Sequence, residues 1–299
     1  MAYFAQQILN GVHVGAIYAL LAFGYALAHG VLRRASFLHG ALFAFSGQIT
    51  VYATAFGWTS LFLIYPAALA LGAFVTILLT LGVAWYTSST ILERVRHASP
   101  NMTIAVSLGL MIVLMEGVRL AAGNWSPWLA PFWNRVIILG GADFTITTTP
   151  IKLAITAISA ATITLSAILL ARTSAGRVWN ATCQDEAAAM LMGVNVRKVF
   201  VLSMVFAGGL AAIAGILAAW HYGNMDFSTG LAFAVKVLFL TSLGGLSTPL
   251  AASLGGLAIG IFENLWDGWF PAMWRDAATY CLLAALLIAS RRSRYSNYR

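Results

Sequence analysis

Residues that could carry acid–base or metal chemistry are few and widely spaced in this chain of 299 residues. His221 and Asp226 have the spacing H-x4-D, in which a histidine can act as a base beside a carboxylate. Five histidines and nine acidic residues make such a match easy to reach by chance. The two cysteines, Cys183 and Cys281, are too far apart to indicate a disulfide framework or a metal site. We therefore predict no catalytic residue, no metal ligand and no cofactor.

Three ionisable residues lie inside apolar runs, where such residues are functional candidates by default. For Glu116 and Glu263 the simpler interpretation is a side chain that reaches the outer interface, beside Arg119 or Arg275. Lys236 lies deeper in its run. Both a contact with backbone carbonyls at a subunit interface and a substrate-facing role stay open for Lys236.

A polar interval at 172–198, RTSAGRVWNATCQDEAAAMLMGVNVRK, separates two long apolar runs. Residues 185–192 are strong helix formers with acidic residues in the first turn, which favour the helix dipole. Gly193 then ends the pattern, and Asn195 lies beyond it. We predict a short helix across one membrane face. It either docks in a groove of another protein or only connects two spans.

The composition indicates that the elements which position these residues are membrane-spanning helices. Hydrophobic residues make up 61% of the chain and charged residues 9%, with a mean hydropathy of +0.85, whereas soluble domains carry about 25% charged residues. The net charge of +8 is spread over short clusters beside apolar runs, as orientation signals are, so nucleic-acid binding is excluded. The first run has no signal-peptide pattern and is taken as structure.

The apolar runs fill the chain and leave no room for a soluble domain, so we expect one transmembrane domain over 1–299. A spanning helix needs about 20 apolar residues. We predict an all-α integral membrane protein with about eight transmembrane helices, some interrupted by glycine. The runs are 4–30, 37–56, 61–86, 102–122, 151–171, 199–222, 231–246, 249–265 and 272–290.

The basic residues predict the orientation, because cytoplasmic loops collect Lys and Arg. The N-terminus is then outside, the C-terminus cytoplasmic, the interval 172–198 cytoplasmic and the loop 123–150 external. That external loop begins with an aromatic interfacial segment, and Phe144 and Ile146 then suggest a short strand or hairpin. The inner face holds Arg33, Arg34, Arg94, Arg96, Arg172, Arg177, Arg197, Lys198, Arg291, Arg292, Arg294 and Arg299; the outer face holds Arg119, Arg135, Lys152 and Arg275.

Three separated motifs resemble one family. The pattern G-R-x3-A-x3-D-E-A-A-A-x3-G-V-N at 176–195 resembles the coupling loop of ABC-transporter permeases. Followed by FAGGLAAIAGIL at 206–217, it is similar to LivH-type permeases of branched-chain amino acid uptake. The opening span NGVHVGAIYALLAFGYALAHGV with FLHG at 37–40, and SLGGLSTPLAASLGGLAIG at 242–260, resemble the same family in the same order.

The resemblance implies a permease subunit of an ABC importer, embedded in lipid in the bacterial inner membrane. Its partners would be two cytoplasmic ATPases, a second permease, often a non-identical LivM-type homologue, and an external substrate-binding protein. No G-x4-G-K-[ST] phosphate loop occurs in the chain, so ATP hydrolysis would come from the partner subunits. The residues implied to couple to the ATPase are Gly176, Arg177, Asp185, Glu186, Ala187, Ala188, Gly193 and Asn195.

The implied translocation path runs through two glycine-containing breaks, 36–40 and 244–249. Broken helices are tolerated in a membrane where they line a cavity or are buried in protein, and the placement of these two suggests an internal inverted repeat. Ser36 stands where the family usually has Asn, and 244–247 lacks the family's third Gly. The cargo is therefore either a branched-chain or hydrophobic amino acid or a related amide, urea or small organic acid. The implied path residues are Ser36, His39, Gly40, Lys236, Gly244, Gly245 and Ser247.

Two other function classes stay as alternatives. A passive channel would share the spans and the glycines, but it would have no use for an acidic-Ala-Ala helix before Gly193. A membrane acyltransferase could use His221 and Asp226, although these lie on the predicted external face.

Overall fold

The computed structural model describes residues 2–123, 125, 127–140, 145–225, 229–244 and 248–296. Over these residues the chain is almost entirely helical, with one short β-hairpin, and the predicted all-α class is confirmed. In chain order the elements are α1 Ala2–Leu32, α2 Leu38–Thr59, α3 Tyr65–Tyr86, α4 Glu93–Val95, α5 Pro100–Ala122, β1 Ile137–Gly140, β2 Ile146–Thr148, α6 Pro150–Arg172, α7 Ser174–Gln184, α8 Glu186–Leu191, α9 Val196–Tyr222, α10 Thr229–Gly244, α11 Pro249–Trp269 and α12 Arg275–Ser296.

The described ranges contain nine long helices, one more than the predicted eight, because the run at 272–290 forms its own helix α12. Within these ranges, five helices are long and apolar enough to cross a membrane by length and composition alone. They are Ala2–Leu32, Tyr65–Val95, Pro100–Ala122, Pro150–Arg172 and Val196–Tyr222.

Local sequence explains where the helices begin and end. Proline occupies the first turn of α3, α5, α6 and α11, where its missing N–H costs nothing. The hydroxyl of Ser99 accepts from the N–H of Met102 and caps α5. Gly223, at φ +75°, ends α9 in the left-handed conformation. A π-helical turn at Thr87–Leu92 joins α3 to α4, which prolongs the third predicted run beyond residue 86.

Helix α1 is the centre of the bundle, and its closest neighbour is α11. A Cβ added to Gly11 would lie 2.6 Å from the Cα of Ile261, and one added to Gly260 would overlap Gly15. Small residues at such crossings let two membrane helices approach closely. The glycines of α1 and α11 therefore fix the backbone contact on which the rest of the bundle packs.

The helix pairings repeat between two halves of the chain, whereas the inverted orientation of the repeat stays a prediction. Three helix contacts each have a counterpart when the two halves are exchanged. The contact of α1 with α11 corresponds to that of α9 with α3, and the contact of α2 with α3 corresponds to that of α10 with α11. The contact of α2 with α5 corresponds to that of α10 with α12. The pairs α1–α9 and α2–α10 lie between the two halves. An approximate two-fold axis that rotates the half α1–α5 onto the half α9–α12 would produce this set of contacts.

The hairpin predicted in the loop 123–150 is present. Strand β1 pairs with β2 in antiparallel fashion, while Phe144 lies outside the described residues. Gln6 of α1 holds the hairpin through two hydrogen bonds: its amide nitrogen donates to the carbonyl of Thr147 (2.9 Å) and its oxygen accepts from the Thr147 N–H (2.8 Å). The hairpin is thus attached to the N-terminal end of the bundle, where the sequence predicts the external face.

Candidate functional site

The interval 172–198 folds into two helices, of which the first, α7, was missed by the sequence reasoning. The Thr173 hydroxyl accepts from the Gly176 N–H (3.2 Å) and caps α7. A Cβ at position 176 would overlap the carbonyl of Leu170, so the tight turn between α6 and α7 requires glycine there. Arg177 is exposed on α7.

The predicted short helix at 185–192 is present as α8. Asp185 is its N-cap: the carboxylate accepts from the N–H groups of Ala187 (2.9 Å) and Ala188 (3.1 Å). Gly193 ends it at φ +83°, a conformation that L-residues rarely adopt. Asn195 then caps α9 by accepting from the N–H of Lys198 (3.0 Å). Short side chains with oxygen acceptors and one glycine therefore define both ends of α8.

An ion pair holds α8 against the spans. The Glu186 carboxylate lies 2.8 Å from Nη2 of Arg96, and the Arg96 guanidinium lies over the ring of Phe200, 4.9 Å from its centroid. Arg96 is 6% exposed, so this contact is largely shielded from water. The pair connects α8 both to the end of α3–α4 and to α9, a link that no local sequence pattern reveals.

Arg33 makes a second link, from the end of α1 to the end of α7. Its Nη2 donates to the carbonyls of Cys183 (2.7 Å) and Gln184 (2.9 Å), which is the favourable position for a cation at a helix C-terminus. Burial raises the pKa of the Cys183 thiol to about 12, so the thiol stays protonated at neutral pH.

The tip of α8 presents apolar side chains to the outside of the molecule. Met190 is 54% exposed, Leu191 88% and Met192 85%. Ala189 is the buried side of this short helix. An apolar tip in an otherwise polar segment has the character of a protein-docking surface.

The predicted break at 36–40 is the connection between α1 and α2 together with the first turn of α2, and it is densely packed. Ser36 accepts from the Leu38 N–H (3.3 Å), and Nε2 of His39 donates to the Leu21 carbonyl (3.0 Å). A cavity of only about 20 Å³ touches Ser36 and His39. A Cβ on Gly40 would overlap Ala234, so Gly40 permits the contact between α2 and α10.

Lys236 lies in a buried ion network. Its Nζ is 2.8 Å from Oε1 of Glu263 and 2.9 Å from Oδ1 of Asp276. The Tyr18 hydroxyl donates to Oε2 of Glu263 (2.7 Å) and the Thr279 hydroxyl donates to Oε1 (3.3 Å). Lys236 is 5% and Glu263 3% exposed. The partners of Lys236 are carboxylates, not the backbone carbonyls considered from the sequence.

Glu116 and Glu263, both predicted to reach the outer interface, have different surroundings in the structure. Glu116 pairs with Arg119 at 2.6 Å, both exposed, as expected. Glu263 is buried beside Lys236, and Arg275 pairs instead with Asp267 (3.0 Å). The interface interpretation is therefore wrong for Glu263, because tertiary packing brings α10 and α12 over it.

A cavity of about 620 Å³ opens beside the Lys236 network, between α1, the end of α9, α10, α11 and α12. His221 lines it and lies edge-on to the ring of Tyr222 (centroids 4.7 Å apart, 80°). Gly244 is the last residue of α10, whereas Gly245, Ser247 and Asp226 lie outside the described residues. Within the described ranges no group of three or more His, Cys, Asp or Glu could hold a metal ion.

The sequence model of one protein family, described as the permease component of the branched-chain amino acid transport system, matches residues 7–290. The chain belongs to this permease family. It is 26% identical over 291 residues to the high-affinity branched-chain amino acid transport system permease protein LivH of Salmonella typhimurium, covering 96% of this chain and 93% of the relative. The Pseudomonas aeruginosa permease protein BraD is 23% identical over 291 residues, covering 96% and 94%.

A more distant similarity covers about half of the chain. The autoinducer 2 import system permease protein LsrC of Salmonella paratyphi B is 30% identical over 155 residues, 48% of this chain and 45% of the relative. No solved structure matches significantly. The chain is a transport permease and a multi-pass protein of the bacterial inner membrane, and neither the channel nor the acyltransferase alternative is favoured.

Proposed function

We propose that the chain is the permease subunit of a binding-protein-dependent ABC importer that moves branched-chain or related hydrophobic amino acids into the cell. The observation that carries this proposal is α8, a capped helix with an exposed apolar tip at Leu191 and Met192, fixed to the spans by Glu186 and Arg96. Relatives named as branched-chain amino acid permeases, similar over 96% of the chain, supply the substrate class.

The placement of the charges supports the predicted orientation. Arg33, Arg34 and Arg96 all lie at the end of the bundle that carries α7 and α8: Arg33 and Arg96 bind those helices, and Arg34 bonds to the carbonyl of Ala98. Because cytoplasmic loops are enriched in such residues, this end faces the cytoplasm and the ATPases. The hairpin and the loop 123–150 then form part of the external landing surface for the binding protein.

Coupling would travel along α9. When ATP binding brings the two ATPases together, their movement shifts α8 at its apolar tip. Glu186 and Arg96 transmit the shift to Phe200 near the start of α9. The same helix ends at Tyr222, which lines the cavity beside Lys236. A rigid helix thus connects the docking site with the place where cargo would enter.

The remaining partners complete the importer. Two ATPase subunits, a second permease of the LivM type and the external binding protein are proposed to surround this chain. The coupling residues are those that define α7 and α8 and their caps: Gly176, Arg177, Asp185, Glu186, Ala187, Ala188, Gly193 and Asn195.

The translocation path is proposed to include residues from both halves. Lys236 is supported by its position on the large cavity, and Ser36 and His39 by the small one near the other end of α1. Gly40 supports the path indirectly, since it lets α2 approach α10. Gly244, Gly245 and Ser247, beyond α10, complete the set.

Two variants test the coupling role in the complete complex reconstituted in liposomes. Gly193→Trp disrupts the left-handed end of α8, and Glu186→Lys places like charges together at Arg96. Both should insert and assemble but lose ATP hydrolysis stimulated by the loaded binding protein. Glu116→Gln, which alters an exposed pair remote from α8, is the matched control. Normal stimulation in both variants would refute the coupling role.

Ser36→Leu tests the path at the first break. The larger apolar side chain should change the rate or preference of uptake, because the cavity at Ser36 and His39 has so little free volume. The measurement is uptake by proteoliposomes across a panel of amino acids, amides and urea. Unaltered uptake of every member would remove Ser36 from the path.

A further inference from the structure

The cavity beside Lys236 combines three kinds of surface. Five charged side chains line it: the cations Lys236 and Arg275, and the carboxylates Glu263, Asp267 and Asp276. Among its other lining groups, Asn264 and His221 are polar, while Val14, Phe233 and Met225 are apolar. Its volume of about 620 Å³ lies within the range of small-molecule sites, about 300–1,000 Å³.

The charges at this cavity are not balanced. Three carboxylates face two cations, so if all five are ionised the lining carries one negative charge in excess. The buried Lys236 pairs with Glu263 (2.8 Å) and with Asp276 (2.9 Å), which fixes the positions of these side chains. Asp267 and Asp276 are 31% and 54% exposed, so the excess negative charge is available at the mouth of the cavity. That charge would attract a positively charged group such as an ammonium.

Arg275 supplies the complementary feature. Its Nη1 pairs with Asp267 (3.0 Å) and its buried Nε faces Asp276 (3.6 Å), while the Arg275 side chain as a whole keeps 39% of its exposure. A guanidinium has five N–H donors and binds a carboxylate through two parallel bonds. Arg275 therefore has donor capacity to hold an incoming carboxylate beside the acidic groups.

We infer that this cavity is a subsite for the zwitterionic head group of a neutral amino acid. Asp267 and Asp276 bind the ammonium, Arg275 binds the carboxylate, and the wall of Phe233 and Met225 receives the apolar side chain. Lys236 lines the path at the floor of the subsite, where its ion pair with Glu263 holds both side chains in place. The inference rests on the proposed importer function and extends it to a binding site in the permease itself.

Cysteine protection tests the subsite without the binding protein, which has its own specificity. Asn264→Cys is made with Cys183→Ser and Cys281→Ser, and the complex is reconstituted and treated with a membrane-impermeant maleimide. L-leucine should slow alkylation, while 4-methylpentanoate, which lacks the ammonium, and 3-methylbutan-1-amine, which lacks the carboxylate, should protect far less. Ala232→Cys offers a second reporter in the same cavity if Asn264→Cys does not assemble.

Two acid-to-amide variants give a matched comparison, because Asp267 pairs with Arg275 and Glu116 pairs with Arg119. Asp267→Asn should raise the leucine concentration for half-protection about tenfold, about 1.4 kcal/mol, whereas Glu116→Gln should leave it unchanged. Equal protection by L-leucine, 4-methylpentanoate and 3-methylbutan-1-amine would overturn the inference. The same half-protection concentration of leucine for Asp267→Asn and Glu116→Gln would also overturn it. Absence of protection in vesicles that still take up L-leucine with ATP and binding protein overturns the subsite alone. Protection without any such uptake overturns the importer instead.

Discussion

The arginines at the α8 end and the cations at the cavity end of the bundle are used in different ways. At the α8 end, Arg33 binds the carbonyls that finish α7 and Arg96 binds Glu186. At the other end, Lys236 and Arg275 share one cavity with three carboxylates. Cations that each connect two elements position α8, the proposed docking helix. Cations gathered with acids around an open volume form the proposed subsite for a zwitterionic cargo.

The ion pair of Lys236 with Glu263 is also more deeply buried than the pair of Arg96 with Glu186. Lys236 and Glu263 are both nearly inaccessible, whereas Glu186 retains 27% of its side-chain exposure beside the buried Arg96. An ion left unpaired in a dry site costs far more than one that water can reach. Loss of one partner should therefore unfold the cavity end but only loosen the α8 end.

The largest effect is expected for Lys236→Met. It leaves Glu263 charged and buried without its cation, which should lower the free energy of unfolding by about 3–5 kcal/mol. Thermal unfolding of the purified complex in detergent measures this. Lys198→Met, at an exposed position of α9, is the control and should change stability by about 0.5 kcal/mol at most. Equal losses would show that Lys236 is not in a dry network.

A double variant sharpens this result. Lys236→Met with Glu263→Met removes both buried charges, and replacing a buried pair by apolar residues is often neutral. Most of the stability lost in the single variant should return, while Asp276 keeps Arg275 nearby (3.6 Å). If the double variant is as unstable as the single one, packing rather than unpaired charge explains the loss.

An intermediate effect is expected for Arg96→Met. The two carboxylates that face Arg96, Glu186 and Glu93, keep 27% and 19% of their side-chain exposure, so water reaches both and stability should fall by only about 1–3 kcal/mol. Coupling should suffer more, because α8 loses its link to α9. Stimulated ATP hydrolysis should decrease about tenfold, equivalent to about 1.4 kcal/mol, in complexes that still assemble. Retention of full stimulation would show that α8 is positioned by other contacts.

The smallest effect is expected at the exposed pair of Glu116 and Arg119. Surface ion pairs contribute about 0–1 kcal/mol, so Arg119→Gln should hardly change the unfolding temperature. Uptake should also be unchanged, since neither residue lines the cavity beside Lys236. A marked loss of uptake would give this pair a role that its exposure does not indicate.

The sequence predicted the spans and α8 well because both depend on local patterns. Apolar runs locate the nine long helices of the described residues to within a few residues, and Asp185 and Gly193 mark the ends of α8 by their capping chemistry. The apolar run at 272–290 forms a long helix of its own, α12, in addition to the predicted eight. Helix α7 was missed because its polar residues conceal an amphipathic helix, with Trp179 buried on one side.

What the sequence could not predict depends on tertiary contacts. Arg96 and Glu186 are far apart in the chain, as are Lys236 and Asp276, and no spacing rule pairs them. Glu263 was assigned to the interface because its run ends nearby, whereas packing of three helices buries it. A single sequence carries no signal for such pairs; co-varying positions in related sequences would supply one.

The central claim is that α8 docks on an ATPase in the cytoplasm. A photo-crosslinking residue replaces either Leu191, 88% exposed at the tip of α8, or Leu120, 76% exposed at the opposite end of the bundle, and the assembled complex is irradiated. We predict a covalent adduct with the ATPase subunit from position 191 and none from position 120. No adduct from position 191, or an ATPase adduct from position 120, would contradict the docking role and the orientation together.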